Sequence, residues 1–214
     1  KLPHYEKMLE TNAKIITNYV NGYQLTGNAN YREIAEQTIS YIINTLSDGT
    51  IFFGSQDADK EEEFYGKPLE ERAKMPAPYI DKTVYTNWNS MMISALLDAS
   101  IIIDNTDYRD RSLKVIDFLI DNLFDKCMYH YFDGEKHLHG LLSDQVYFMR
   151  ALLDAFEATQ DKKYIECAEK IAKWCLENLK DDKGFFDKAK DDNNGIGNLA
   201  IKNKPITENA VAAE

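Results

Sequence analysis

An internal repeat limits the folds open to this chain more than any other feature of its sequence. Tyr31, Tyr108 and Tyr164 mark three copies, and a good helix N-cap stands three residues before each tyrosine. Small, aromatic and leucine residues recur four, ten and fifteen residues after each anchor, a spacing that keeps one helix face apolar. The recurring residues are Asn28, Asn105 and Asp161; Ala35, Ser112 and Ala168; Tyr41, Phe118 and Trp174; and Leu46, Leu123 and Leu179.

A second apolar helix is predicted before each tyrosine. The connections between the two helices, TGNAN, DNTD and TQDKK, are short and polar, which predicts antiparallel helical hairpins. An aromatic stretch then follows each hairpin, and Asp133-Gly134 within one stretch predicts a β-hairpin turn. Ile15, Met92, Phe148, Tyr19, Leu96 and Leu152 repeat in the first helices, and Phe52, Tyr129 and Phe185 repeat in the aromatic stretches.

An amide side chain stands near the start of each first helix. Asn12, Asn89 and Gln145 lie nineteen residues before the three tyrosines, and Asn209 opens a further copy in ITENAVAAE. Polar groups that continue an apolar stripe must find partners, so these amides are either buried struts or walls of a ligand site. The repeat therefore predicts three hairpins and the start of a fourth, interrupted by a long proline-containing loop over residues 54–84.

The composition excludes several classes of partner. With 36 acidic and 25 basic residues, the net charge of −11 disfavours nucleic acid. No apolar stretch is long enough to cross a membrane, so no membrane partner is expected. The three cysteines form no C-x-x-C pair, which favours buried thiols in a reducing, cytoplasmic location. No cofactor motif is present, and the Asp57-containing loop lacks the glycine and terminal acid of an EF-hand, so no metal is expected.

Several stretches resemble the thioredoxin-domain-containing proteins related to spermatogenesis-associated protein 20. They are PHYEKMLETNA, NYVNGYQLTGNANY, FFGSQDAD, DKTVYTNWNSMMISALLDA, LLSDQVYFMRALLDAFEAT and ENAVAAE. The resemblance implies an all-α, incomplete (α/α) toroid over residues 1–214, similar to N-acylglucosamine 2-epimerase and six-hairpin glycosidase folds, with short β-hairpins between the helices. It also implies a thioredoxin-like domain before Lys1 and further hairpins after Glu214.

The resemblance implies an active-site mouth formed by the loops that lead into the inner helices. Asp144, Asp81 and Glu208 are the expected catalytic carboxyl groups, because glycoside hydrolysis needs two of them across a cleft. Trp88, which precedes Asn89 as Asp144 precedes Gln145, is expected to stack on a sugar ring. The expected substrate-binding residues are Trp88, Asn89, Gln145, Asn12, Asn209, Glu6, Asp57 and Asp59.

Two other interpretations stay open. Epimerisation needs a base beside a carbonyl, and epimerases of this fold use histidines on inner helices, whereas His4, His130, His137 and His139 lie outside the predicted inner-helix stripes. The second alternative is a non-catalytic platform serving an upstream redox domain, in which the carboxylates only cap helices. In either case, uncovered apolar faces at a barrel edge are expected to favour self-association.

Overall fold

The computed structural model describes residues 4–58, 63–189 and 200–214, and these residues form three antiparallel helical hairpins and the first helix of a fourth. The predicted all-α class is confirmed. A single-turn helix, α3, lies in the long loop between the first two hairpins. The helices are α1 (Leu9–Thr26), α2 (Ala29–Thr45), α3 (Leu69–Arg72), α4 (Thr86–Ile102), α5 (Thr106–Leu123), α6 (Leu142–Thr159), α7 (Lys162–Asn178) and α8 (Ile206–Ala213).

The hairpin turns use the caps that the sequence predicts. Asn28, Asn105 and Asp161 each accept a hydrogen bond from the backbone N–H two residues on, which satisfies an otherwise free donor of the second helix. Each first helix is followed closely by a residue with left-handed backbone: Gly27, Asp104 and Gln160, with φ of 66°, 63° and 60°.

Helices α1, α4, α6 and α8 pack side by side as the inner layer, and α2, α5 and α7 cover them from outside. Most of the repeated apolar positions lie in one continuous core between the layers, with Leu46, Leu96 and Leu152 among its fully buried members. This arrangement is the arc of an (α/α) toroid.

Short antiparallel strands gather at the N-terminal ends of the inner helices. One sheet joins β1 (Lys7–Met8), β2 (Ser55–Gln56) and β3 (Ile80–Asp81), and a second joins β4 (Val84–Tyr85), β5 (Tyr129–Phe132) and β6 (Lys136–His139). The last pair is β7 (Lys180–Asp181) and β8 (Gly184–Phe185). The predicted turn at Asp133-Gly134 connects β5 and β6, and Gly134 supplies the required positive φ of 117°.

The three cysteines are buried free thiols. Burial raises the pKa of Cys127 to about 11 and that of Cys175 to about 12, so both thiols stay protonated at neutral pH. None of the helices in the described ranges is both long and apolar enough to cross a bilayer.

Candidate functional site

The amide of Asn89 holds the first hairpin's exit loop against the second hairpin. Its Oδ1 accepts a hydrogen bond from the backbone N–H of Phe52 at 3.2 Å, and its Nδ2 donates to the Phe52 carbonyl at 3.0 Å. The same Nδ2 donates to the Tyr85 carbonyl at 3.0 Å. We call this arrangement an amide clamp: one side chain binds both backbone groups of a residue in the preceding hairpin.

The clamp recurs in the next two copies of the repeat. Gln145 binds both backbone groups of Met128 at 2.8 and 3.0 Å, and Asn209 binds those of Phe185 at 2.8 and 2.9 Å. Among residues 4–58, 63–189 and 200–214, the Asn12 side chain makes one hydrogen bond, from Nδ2 to the Met8 carbonyl at 2.8 Å, and no clamp. The clamped residue of the second hairpin is thus Met128, one position before the Tyr129 that the repeat predicts.

These contacts occupy the polar atoms of three of the four amides that are expected to bind substrate. Asn89 and Gln145 are fully buried, and each uses its oxygen and its nitrogen on backbone groups. Of the two roles that the sequence leaves open, the structure places Asn89, Gln145 and Asn209 as struts. Buried backbone groups need such partners, because leaving them unpaired costs free energy.

Asp144 is fully buried at the start of α6, and it contacts a histidine. Nδ1 of His130, on β5, lies 3.0 and 3.1 Å from the two carboxylate oxygens of Asp144. The hydroxyl of Thr86 donates to the carbonyl of Tyr129 at 2.5 Å, which fixes β5 beside the start of α4. Asp144 is therefore covered by His130 and does not reach the mouth directly, whereas the His130 side chain is 24% exposed.

Aromatic rings connect this pair to the other predicted mouth residues. The Tyr85 ring lies 4.6 Å from that of Trp88, 5.8 Å from His130 and 6.2 Å from Tyr131, measured between centroids. The Tyr85 hydroxyl donates to Asp81 Oδ2 at 3.3 Å. The mouth cluster, as we call it from here on, consists of Asp81, Tyr85, Trp88, His130, Tyr131 and Asp144.

Gly54 permits this close packing because it has no side chain. A Cβ at this position would lie 2.8 Å from Cε2 of Tyr85 and 3.0 Å from Oδ2 of Asp81. Since real Cβ atoms do not approach so closely, an alanine here would displace the ring or the carboxylate. The TIFFG stretch of the first hairpin therefore shapes the mouth through its last residue.

The remaining predicted site residues lie around the mouth cluster rather than in it. Glu6 accepts a hydrogen bond from Ser55 at 3.3 Å, and Ser55 pairs with Asp81 across the first sheet. Asp57 accepts a bond from the adjacent Ala58 N–H at 2.7 Å, while Asp59 lies outside the described residues. Glu208 lines a separate hollow of about 370 Å³ between the starts of α6 and α8.

His130 is the functional candidate that sequence reasoning missed. Catalytic histidines are expected on the inner helices, whereas His130 lies on β5, the first strand of the β-hairpin that precedes α6. The sequence signal for His130 is its place in the aromatic run MYHYF. This run follows an outer helix, in the stretch where the repeat places mouth residues. His137 and His139 lie on β6: His137 contacts Asp133 at 3.0 Å, and His139 packs against Tyr129.

The buried carboxylate determines the protonation of His130. Hydrogen bonding to Asp144 raises the pKa of His130 above its ordinary value of 6.5, and burial raises the pKa of Asp144. When Asp144 is ionised, Nδ1 of the neutral histidine donates its proton to the carboxylate, and Nε2 is the nitrogen that can act as a base. Such a nitrogen can accept a proton from a ligand and return it.

We expect an NMR titration of the histidine ring protons to place the pKa of His130 above 6.5 and Asp144→Asn to lower it. The folded-state pKa is raised, so the pair's contribution to stability is complete below pH 6.5 and declines as the pH rises through the raised value. His139→Gln serves as the control, because it removes one signal without touching the pair. An unchanged His130 pKa in Asp144→Asn would contradict this assignment.

Comparison with solved structures places the chain among (α/α) toroids of sugar epimerases and glycoside hydrolases. A cellobiose 2-epimerase from Spirochaeta thermophila aligns over 89% of this chain and 48% of its own, with TM-score 0.71 and 17% identity. An α-mannanase of glycoside hydrolase family 76 from Bacteroides thetaiotaomicron aligns over 87% and 49%, with TM-score 0.65 and 15% identity. A D-mannose isomerase aligns over 80% and 41%, with TM-score 0.64 and 18% identity. These likenesses establish the fold.

Among curated proteins, the chain is similar to mouse spermatogenesis-associated protein 20, which confirms the resemblance seen in the sequence. The two are 34% identical over 70 residues, or 32% of this chain and 9% of the relative. An uncharacterized protein of Caenorhabditis elegans is 25% identical over 131 residues, or 56% of this chain and 18% of the relative. The chain thus spans less than a fifth of these relatives. No family model matches it.

Proposed function

We propose that the mouth cluster binds a carbohydrate and that His130 transfers a proton to and from the bound sugar. The observation that carries this proposal is the His130–Asp144 pair beside the ring of Tyr85, which in turn contacts Trp88. A buried carboxylate that orients a histidine leaves Nε2 as a general base, and Asp144 acts as its positioning residue.

The proposed reaction class is proton abstraction from the carbon beside the carbonyl of an open-chain sugar. Nε2 of neutral His130 takes the proton, and the electron pair of the broken C–H bond moves toward the carbonyl oxygen as an enolate forms. Return of the proton from the imidazolium restores the carbonyl compound, so no oxidant is needed. Asp144 favours the transient imidazolium through its charge. Hydrolysis stays the second candidate, with Asp81, which the Tyr85 hydroxyl binds at 3.3 Å, and Asp144 as the two carboxyl groups that this reaction needs.

A cavity below the mouth offers room for a ligand. Met91 and Tyr147, three residues after Trp88 and Asp144, line a space of about 450 Å³ between the inner helices. Asp98 and Asp154 also line it, and burial raises the pKa of both carboxyl groups. This volume lies within the usual range for small-molecule sites, and carboxyl groups beside an aromatic ring suit the hydroxyls and the apolar face of a sugar.

The alternative is a non-catalytic platform that serves an upstream redox domain. The amide clamps are compatible with either function, because in both cases they hold the helical hairpins together. The His130–Asp144 pair supports the sugar site, since a fully buried carboxylate here meets a partly exposed histidine that can contact a ligand.

Tryptophan fluorescence tests binding directly, because Trp88 and Trp174 are the only tryptophans in the sequence. In a Trp174→Phe background, titration with cellobiose or mannose is expected to change the Trp88 emission saturably. Trp88→Phe, which retains Trp174, is the matched control and is expected to show no change.

Replacing Trp88 by Ala is expected to weaken binding roughly tenfold by calorimetry, through loss of ring stacking. Unchanged Trp88 emission with both sugars would favour the platform.

A further inference from the structure

The residues that line the cavity between the inner helices follow the repeat. Most of them stand two, five or nine positions after one of the repeated amides. Asp98 and Asp154 both hold the ninth position, on α4 and α6, which pack side by side. Their carboxyl groups therefore lie at the same depth in the cavity. The upper tier comprises Lys14, Met91, Tyr147 and Val211, the middle tier Thr17, Ser94 and Arg150, and the lower tier Asp98 and Asp154.

The two basic residues that line the cavity already have carboxylate partners. Nζ of Lys14 lies 2.5 Å from Oε1 of Glu10, one turn earlier on α1. The guanidinium group of Arg150 forms an ion pair with Glu214, directly after α8. Both positive charges are thus balanced by carboxylates outside the lower tier.

The carboxyl groups of the lower tier lack such a partner. Among the ion pairs of residues 4–58, 63–189 and 200–214, none includes Asp98 or Asp154. Burial and the nearby charge of Asp154 raise the pKa of Asp98, and burial raises the pKa of Asp154. A positive charge placed between two half-buried carboxylates would stabilise the ionised form of both.

The Ser94 hydroxyl is a further polar group beside this pair. Its Oγ is buried and meets the geometry of no hydrogen bond among the described residues, although it lies near enough to Asp154 to lower the pKa of that carboxyl group. A buried hydroxyl without a partner costs free energy, and a ligand in the cavity can supply the missing partner. The cavity thus presents two carboxylates and one hydroxyl to a ligand group that donates hydrogen bonds.

We propose that the lower tier binds the ammonium group of an amino sugar within the bound carbohydrate. This inference rests on the proposed function and names the substrate class of the same site. An ammonium group donates three hydrogen bonds and carries the positive charge that Asp98 and Asp154 lack. A sugar hydroxyl supplies hydrogen bonds without that charge, so the lower tier favours the amino sugar.

The depth of the lower tier sets the length of the ligand. Asp98 and Asp154 each come ten residues after a mouth residue, Trp88 and Asp144, which corresponds to about 15 Å along an inner helix. A single hexose ring is too short to span this distance. The ligand therefore comprises at least two sugar units, with its reacting end beside His130 and an amino sugar at its far end.

Calorimetry with three oligosaccharides of one backbone tests this proposal. The β-1,4-linked trisaccharide of glucosamine carries amino groups, its N-acetylated form carries neutral amides, and cellotriose carries hydroxyls at the same positions. Near neutral pH, the wild type is expected to bind the glucosamine trisaccharide about tenfold more tightly than either neutral form.

Asp98→Asn and Asp154→Asn are each expected to remove most of this preference, because each takes away one negative charge while keeping a polar side chain of the same shape. Asp121→Asn is the matched control, since Asp121 is exposed on the outer helix α5, away from the cavity. It is expected to leave the tenfold preference unchanged. Melting curves confirm that the variants remain folded.

The possible outcomes separate this inference from the proposed function. Equal affinity for the glucosamine trisaccharide and cellotriose would overturn the amino-sugar assignment and leave the carbohydrate site intact. Binding of none of the three would count against both. A preference that survives in Asp98→Asn and Asp154→Asn would overturn the role of the lower tier. Spermidine binding as tightly as the trisaccharide would overturn the assignment to a sugar, since it would show a site for any amine.

Discussion

His130→Gln is expected to slow proton exchange on a bound sugar by roughly 10²- to 10⁴-fold, the usual contribution of a general base. The chain is incubated with mannose or cellobiose in D₂O, and loss of the C2 proton signal is followed by NMR. Glutamine keeps a polar side chain of similar reach but cannot accept and return a proton. The rate for the wild type is expected to rise with pH through the raised pKa of His130, because only the neutral imidazole is a base.

His139→Gln is the matched control, since it makes the same substitution on β6 at an exposed ring outside the mouth cluster. Asp144→Asn is expected to reduce the rate with little change in Tm and to shift the pH profile to lower pH. If Asp144→Asn instead unfolds the protein, Asp144 is a structural strut. A wild type that binds sugar but exchanges no deuterium would rule out proton transfer while leaving the binding site intact.

Asn89→Ala is expected to destabilise the chain by about 3 kcal/mol, because it leaves the buried N–H and C=O of Phe52 without partners. For a domain of this size, that corresponds to a fall in Tm of roughly 6 to 12 °C. Thermal and urea denaturation both measure the effect. The size of the expected loss follows from burial, since water cannot replace the amide.

Asn12→Ala is the matched control within the same repeat. Asn12 makes a single hydrogen bond, to Met8, and its side chain is partly exposed, so the expected loss is below about 1 kcal/mol. The comparison is made at concentrations where the chain is monomeric. Equal losses in the two variants would show that the stability comes from helix initiation and not from the clamp.

The hairpins were predictable from the sequence because their signals are local. Helix periodicity and the caps at Asn28, Asn105 and Asp161 act within a few residues, and the structure confirms them. The role of Asn89 was not predictable in the same way, because its partner Phe52 is 37 residues away and joins it only through the packing of two hairpins. The sequence alone is therefore equally compatible with a buried strut and with the wall of a ligand site.

The site was predictable only in part for the same reason. The positions of Asp81, Trp88 and Asp144 near helix starts predict them as site residues, and the structure brings them together through Tyr85 and His130. The contact between His130 and Asp144 depends on how β5 crosses the start of α4. Backbone register also explains why Met128 replaces the expected Tyr129 in the second clamp: α5 is one residue longer than α2, and its exit to the clamped residue is two residues shorter.

The amide clamps allow the loops around the mouth to differ in length and shape. Each clamp fixes both ends of a loop segment. The segment starts after the clamped residue and ends at the inner helix that carries the clamping amide. Between Phe52 and α4 this segment is long and includes α3, whereas between Met128 and α6 it is a single β-hairpin. Loops of very different length and shape thus attach to the same anchoring geometry. In a protein built this way, these loops can change in length and sequence while the helices keep their positions.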